Sequence, residues 1–112
     1  MTNTIAMVIS ALIAVESGGD PAAVGDDGQA VGILQMWPCA VEEANRLAGR
    51  HLWTREDRHN PQLSWAMAWK ILEHHYQRGH TDAVSLACRW HSPYGEAPES
   101  YVEKVRSVVG QI

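Results

Sequence analysis

Asn3-Thr4-Ile5-Ala6-Met7-Val8-Ile9-Ser10-Ala11-Leu12-Ile13-Ala14-Val15-Glu16-Ser17-Gly18-Gly19 reads as a helix that ends on an acid. Ile5, Ile9, Leu12 and Ile13 recur at helical spacing. Gly18 and Gly19 stop the helix, because glycine takes the left-handed C-terminal conformation without a side-chain clash. Glu16 is the residue out of place. At ~100° per residue it lies within ~20° of Ile5 and ~40° of Leu12, in the middle of the apolar arc. A carboxylate there is costly unless paired or protonated. Burial without a cation raises its pKa and leaves a proton donor near neutral pH, which is how an enzyme makes a general acid from Glu. The Gly-rich loop that follows leaves it within reach of a ligand. The plainer alternative is an end-of-helix Glu that bends into water or pairs with an Arg.

Working outward, the loop Asp20 to Gly32 is rich in Gly, Asp and Pro and passes into the apolar string Val31 to Trp37. Pro38 fits the first turn of a second helix that reaches Ala48 and closes at Gly49. Asn60 caps a third helix, with Pro61 at its first position and Gly79 at its end. Trp65, Trp69, Leu72 and Tyr76 form its apolar stripe, read as core. Thr81 is the expected cap of a fourth helix, Asp82 to about Trp90. A turn follows at Ser92-Pro93-Tyr94-Gly95. The last helix begins near Pro98, with a stripe of Tyr101, Val105, Val108 and Ile112. No run alternates with period two, so the expected fold is all-α or nearly so, a single domain over residues 1–112.

Composition excludes several classes. With 46% hydrophobic and 20% charged residues the chain can bury a core. Nine Lys and Arg against 13 Asp and Glu give a formal net charge of -4, which argues against nucleic acid as a partner. No apolar run approaches the ~20 residues that span a bilayer, so no membrane partner is expected. Five Trp, three Tyr and no Phe suit a core and also a sugar-binding groove. Cys39 and Cys88 are too few for a disulfide scaffold; they either pair once or are buried thiols, and the thiol reading is preferred. The six histidines include no His-x-x-x-His pair with a third ligand, and His74 and His75 leave the helix on different faces. They are read as surface or cap residues, with no metal and no cofactor. The apolar stretch Ile5 to Val15 has no Lys or Arg before it and is broken by Ser10, so it is a helix of the fold and not a signal peptide. The protein is therefore expected to be made in the cytoplasm, as a monomer.

Glu16-Ser17-Gly18-Gly19-Asp20-Pro21 followed by Gly28-Gln29-Ala30-Val31-Gly32-Ile33-Leu34-Gln35-Met36 resembles the soluble lytic transglycosylase family, lysozyme-like enzymes that cut peptidoglycan. Ala87-Cys88-Arg89-Trp90-His91 and Tyr101-Val102-Glu103-Lys104-Val105 are similar to later family motifs and come in the same order. Asp57-Arg58-His59-Asn60-Pro61 resembles a feature of the short phage-like branch. The resemblance implies a lysozyme-like fold, peptidoglycan glycan strands as partner, and cleavage of the β-1,4 bond between N-acetylmuramic acid and N-acetylglucosamine. Glu16 matches the catalytic acid, which protonates the leaving oxygen and then acts as base. Gln35 matches an amide that bonds sugar or loop backbone. Tyr101 matches a Tyr that faces the acid. Trp90 and His91 are expected at the sugar groove, and Ser17, Gly32 and Met36 are placed with the substrate side by the same motifs. His91 stands where the family usually has Asn, and Ser92-Pro93-Tyr94 replace the glycines that normally follow. Asp26, Asp27, Glu96 and Glu99 are read as solvated loop acids. The absence of an export signal in this reading points to a phage or mobile-element lysin that acts on the wall after release or virion delivery. A non-catalytic wall-binding or virion structural protein is the alternative, since fold does not guarantee activity. A buried acid that a binding module has no need of weighs against it.

Overall fold

The computed structural model describes residues 1–110. Where the helical periods lie, helices form: α1 (Thr2–Glu16), α2 (Pro38–Ala48), α3 (Pro61–Gln77), α4 (Ala83–His91) and α5 (Glu99–Val109). Two short 3-10 turns cover Asp26–Gly28 and Arg55–His59, and an antiparallel pair, β1 (Val24–Gly25) and β2 (Ala30–Val31), matches Val24 with Val31 and Gly25 with Ala30. The all-α expectation holds apart from this pair, whose two-residue strands are too short to show a period.

The ends of the helices follow local chemistry. The Asn60 side chain accepts from the Gln62 and Leu63 amides, with Pro61 behind it where a missing N–H costs nothing. Gly49 ends α2 at φ 78°. For α4 the cap is Asp82, whose carboxylate accepts from the Ser85 amide, and not Thr81. The carboxylate sits at the right separation from the N3 amide and also favours the positive helix start.

The apolar arc of α1 (Ile5, Val8, Ile9 and Leu12) is fully buried against Ala68 and Leu72 of α3, Leu86 and Ala87 of α4, and Tyr101 and Val105 of α5. Ile33 and Leu34 close this core from the loop side. A second core joins Met36 and α2 (Val41, Ala44) to Met67 and Ile71 of α3. Helix α3 therefore lies between two cores. Its most buried face is Ser64, Met67, Ala68, Ile71 and Leu72, while Trp65, Trp69 and Tyr76 are only half-buried at its margins. Small and flexible side chains let neighbours approach a helix from both sides, and an indole does not. In α5, Tyr101 and Val105 are buried as the stripe requires; Ile112 lies outside the described residues. Cys39 and Cys88 are unpaired, but neither is fully buried: Cys39 is exposed and Cys88 half-buried. Among the described residues no helix is long and apolar enough to cross a membrane.

Candidate active site

The segment after Glu16 is fastened to the interior from several sides. The Ser17 hydroxyl donates to the Ile33 carbonyl at 2.7 Å and accepts from the Gly19 amide at 3.1 Å. This ties the end of α1 to the turn that follows β2. Gly32 has φ +85°, and a Cβ there would stand 2.1 Å from the Arg58 carbonyl oxygen. Only glycine permits that approach. The Arg58 side chain, 8% exposed, donates from Nη1 to the carbonyls of Gln29 (2.9 Å) and Met36 (3.0 Å), and from Nε to that of Arg55 (2.8 Å). Its own carbonyl accepts from the buried Ser64 hydroxyl at 2.9 Å. Gln35 takes a left-handed φ of 48°, and its Nε2 donates to the carbonyls of Ala23 and Gly32, each at 3.0 Å. The family-like Gln is thus bound to loop backbone, and both its amide hydrogens are occupied.

Glu16 is half-buried at the end of α1. Burial is the main reason its pKa rises to about 7; the negative charge of Asp26 adds to the rise, and the Tyr101 hydroxyl and Lys104 oppose it. Tyr101 faces this carboxyl. Burial first, and Glu16 next, push its phenol upward, so it stays an O–H donor. The hydroxyl is buried without a hydrogen-bond partner among the described residues, so the two groups are close enough to influence each other but are not joined by a bond of ordinary geometry. The His91 ring leans on the Tyr101 ring, centroids 4.3 Å apart, and its Nδ1 lies 2.7 Å from the Ser92 hydroxyl. On the other side, Asp26 and Asp27 adopt φ of 50° and 56° at the tip between β1 and β2. The Asp26 carboxylate accepts from the Trp37 indole N–H at 3.2 Å.

A cleft of about 690 Å³ opens beside this group. Gln35, Met36, Trp37, Trp90 and His91 are among the residues that line it. Glu16 and Tyr101 do not form its wall. They reach it through their neighbours, Asp26 bonded to Trp37 and Tyr101 in tilted contact with His91. Of the residues that the sequence placed at substrate, Gln35, Met36, Trp90 and His91 line the cleft, Tyr101 faces Glu16, and Ser17 and Gly32 hold backbone. Trp90 packs against both cores, so much of its surface is brace. Trp37, 44% exposed and walling the cleft, was not singled out by the sequence. The available signal was a Trp before a helix-starting Pro, outside every apolar stripe. Asp26 is exposed, as expected of a solvated loop acid, and in addition holds the Trp37 indole; Arg58, inside the Asp57-to-Pro61 motif, is buried with no local pattern to announce it. His74, His75 and His80 are surface histidines as expected, but they gather on the cleft, with ring centroids 5.4 and 6.2 Å apart along the series, so His74 and His75 do not part to different faces. His74 and His75 are adjacent in the last turn of α3, and the left-handed turn at Gly79 brings His80 back to them.

A half-dry carboxylic acid at a helix end, set beside a cleft walled by indole and imidazole, defines a helical domain of lysozyme-like kind. The chain belongs to the transglycosylase SLT domain family, whose model matches residues 1–91. No curated protein and no solved structure matches it. Family membership makes this a lytic transglycosylase-type enzyme domain with peptidoglycan as its substrate.

Proposed function

We propose that this domain cleaves the β-1,4 bond between N-acetylmuramic acid and N-acetylglucosamine, with Glu16 as both acid and base. The carrying observation is the desolvated Glu16 carboxyl, whose pKa of about 7 leaves a large protonated fraction at neutral pH. Protonated Glu16 donates to the bridging oxygen as the C1–O bond breaks, and the departing sugar leaves as an alcohol. The resulting carboxylate takes the proton from the muramic 6-hydroxyl, whose oxygen closes on C1. The product is a 1,6-anhydro end, no water is consumed, and Glu16 returns protonated. Tyr101 is a positioning residue: its phenol stays protonated and stands beside the carboxyl, ready to donate to the anionic form. Trp37 offers an exposed indole face to a sugar ring, its N–H fixed by Asp26.

One observation favours a second outcome. Asp26 is near enough to raise the proton affinity of Glu16 and is anchored by Trp37. A carboxylate so placed suits activation of a water on the far side of the sugar, which gives a reducing end. Mass spectrometry of digested peptidoglycan separates the two, because the reducing product is heavier by one water. Glu16→Gln is expected to abolish cleavage of purified wall, since an amide has no acid proton to give. Full activity of that variant would remove Glu16 from the role.

A further inference from the structure

Away from the cleft, the segment that joins α2 to the second 3-10 turn is held more firmly than a connection requires. The Asn45 side chain makes three hydrogen bonds to it: Oδ1 accepts from the Leu52 and Trp53 amides at 2.8 and 2.9 Å, and Nδ2 donates to the Trp53 carbonyl at 2.8 Å. One residue on, Thr54 and Asp57 cap the turn reciprocally. The segment so fixed turns His51 and Leu52 to solvent, Leu52 at 45% exposure, and leaves Trp53 half-buried with part of its ring on the core of Met36, Val41 and Met67. A pocket of about 320 Å³ opens beside Trp53. Its rim carries His51, Thr54 and an exposed ion pair in which Arg55 Nη2 lies 3.1 Å from Glu42 Oε1. Tyr101 holds the one buried polar side-chain atom without a partner among the described residues, so the Trp53 indole N–H, which bonds to none of them, is open to solvent.

We propose that this pocket is a second glycan site, which holds uncharged N-acetylhexosamine rings of the wall at a place separate from the cleaving cleft. Helix α2 divides the two: Ala40, Glu43 and Arg46 line the cleft, and Val41, Glu42 and Asn45 line this pocket from another face. The choice of ligand rests on peptidoglycan as the substrate class and on no role of Glu16. An indole with an apolar face and an open N–H suits a sugar ring, whose C–H face packs flat while its hydroxyls reach the rim. There Glu42 accepts from hydroxyls and Arg55 donates to an acetamido carbonyl. The two charges cancel, so the rim favours neither a free cation nor an anionic polymer. The bonds from Asn45 order the indole before any ligand arrives, which lowers the entropy lost on binding. In a chain of net charge -4, a neutral anchor holds the domain on the wall where electrostatic attraction to anionic polymers does not. A second contact also keeps the cleft at high local glycan concentration between cuts.

The test titrates chitotriose into the Glu16→Gln protein and follows the indole N–H signals by NMR. The Trp53 and Trp37 signals are both expected to move, with independent midpoints because α2 stands between them. Trp53→Leu keeps an apolar group on the core and removes the flat ring. In that background it should lower co-sedimentation with purified insoluble peptidoglycan about five- to tenfold, while the Trp37 signal still responds to chitotriose. Glu42→Ala changes an exposed position without touching the core and should lower co-sedimentation about two- to threefold. Added salt should leave co-sedimentation unchanged. A Trp53 signal that stays still at millimolar chitotriose, equal co-sedimentation of both variants and their parent, or co-sedimentation lost in salt each overturns the proposal. So does a Trp53 signal that moves with protein concentration and not with sugar, which makes the pocket a contact between copies. Because binding is read at Trp53 without turnover, a Glu16→Gln variant that keeps its activity defeats the cleavage reading and leaves this measurement intact.

Discussion

The hairpin beside Glu16 and the turn after α4 both contribute to the cleft, yet they are held by opposite means. Around the hairpin, buried or half-buried donors from Arg58, Gln35 and Ser17 occupy the carbonyls of Ala23, Gln29, Gly32, Ile33 and Met36. Nearly every bond crosses to another part of the chain. The turn is held at its rim: Arg89 reaches the carbonyls of Pro93 and Gly95, and Tyr94 is 91% exposed. The hairpin lies within the stretch that the family model matches, residues 1–91, and Ser92 to Tyr94 lie beyond it. A wall fixed from the interior tolerates little change, because each substitution strands a buried polar group. A wall on the surface leaves its side chains free to be set by what they bind.

The sharpest way to break this comparison is Gly32→Ala. The added methyl would meet the Arg58 carbonyl in a backbone conformation that alanine avoids, and a loss of about 3–5 kcal/mol is expected in urea denaturation. Arg58→Met should follow at about 2–4 kcal/mol, since three carbonyls lose the guanidinium donor, Met36 alone keeping a bond from the Val31 amide, while the packing volume is kept. Should either variant match the parent in stability, the hairpin is not fastened as described.

Glu16→Gln tests the acid itself through stability. A carboxyl whose folded pKa lies at about 7, above the ordinary value of 4.5, favours folding while protonated, and that contribution is lost as pH rises from 4.5 through 7. Glutamine carries no charge to bury, so its thermal midpoint should exceed the parent's by roughly 2–5 °C at pH 8, with the gain vanishing near pH 4.5. A gain independent of pH would show that Glu16 is not the desolvated group. A smaller effect is expected for Asp26→Asn. Removing that negative charge lowers the pKa of Glu16, so the alkaline limb of the activity profile moves to lower pH by a fraction of a unit. A limb that stays in place places Asp26 outside the electrostatics of the acid. The smallest stability effect belongs to Tyr94→Ala, within about 0.5 kcal/mol of the parent in the same denaturation experiment.

Local pattern alone determined the helices and the anomaly of Glu16. Helical periodicity is written within a few residues, and so are the Pro and Gly signals at α2, the Asn60-Pro61 start of α3 and the place of an acid within an apolar arc. The Glu16-Ser17-Gly18 block and the Gly32-Ile33-Leu34-Gln35 block pointed to the family that the chain belongs to. What tertiary structure decided are the relations between distant residues. Arg58 meets Gln29 across 29 positions and Met36 across 22, and no periodicity announces a guanidinium that caps carbonyls so far away. The partnership of Trp37 with Asp26 depends on left-handed turns that Asp tolerates but does not demand. The same holds for α3, whose stripe shifted because two cores press on it, and for the histidines, which the fold turned from separate surface groups into one wall of the cleft. Sequence specifies which residues dislike water at each local period; which polar groups they are buried with is fixed only when the helices pack.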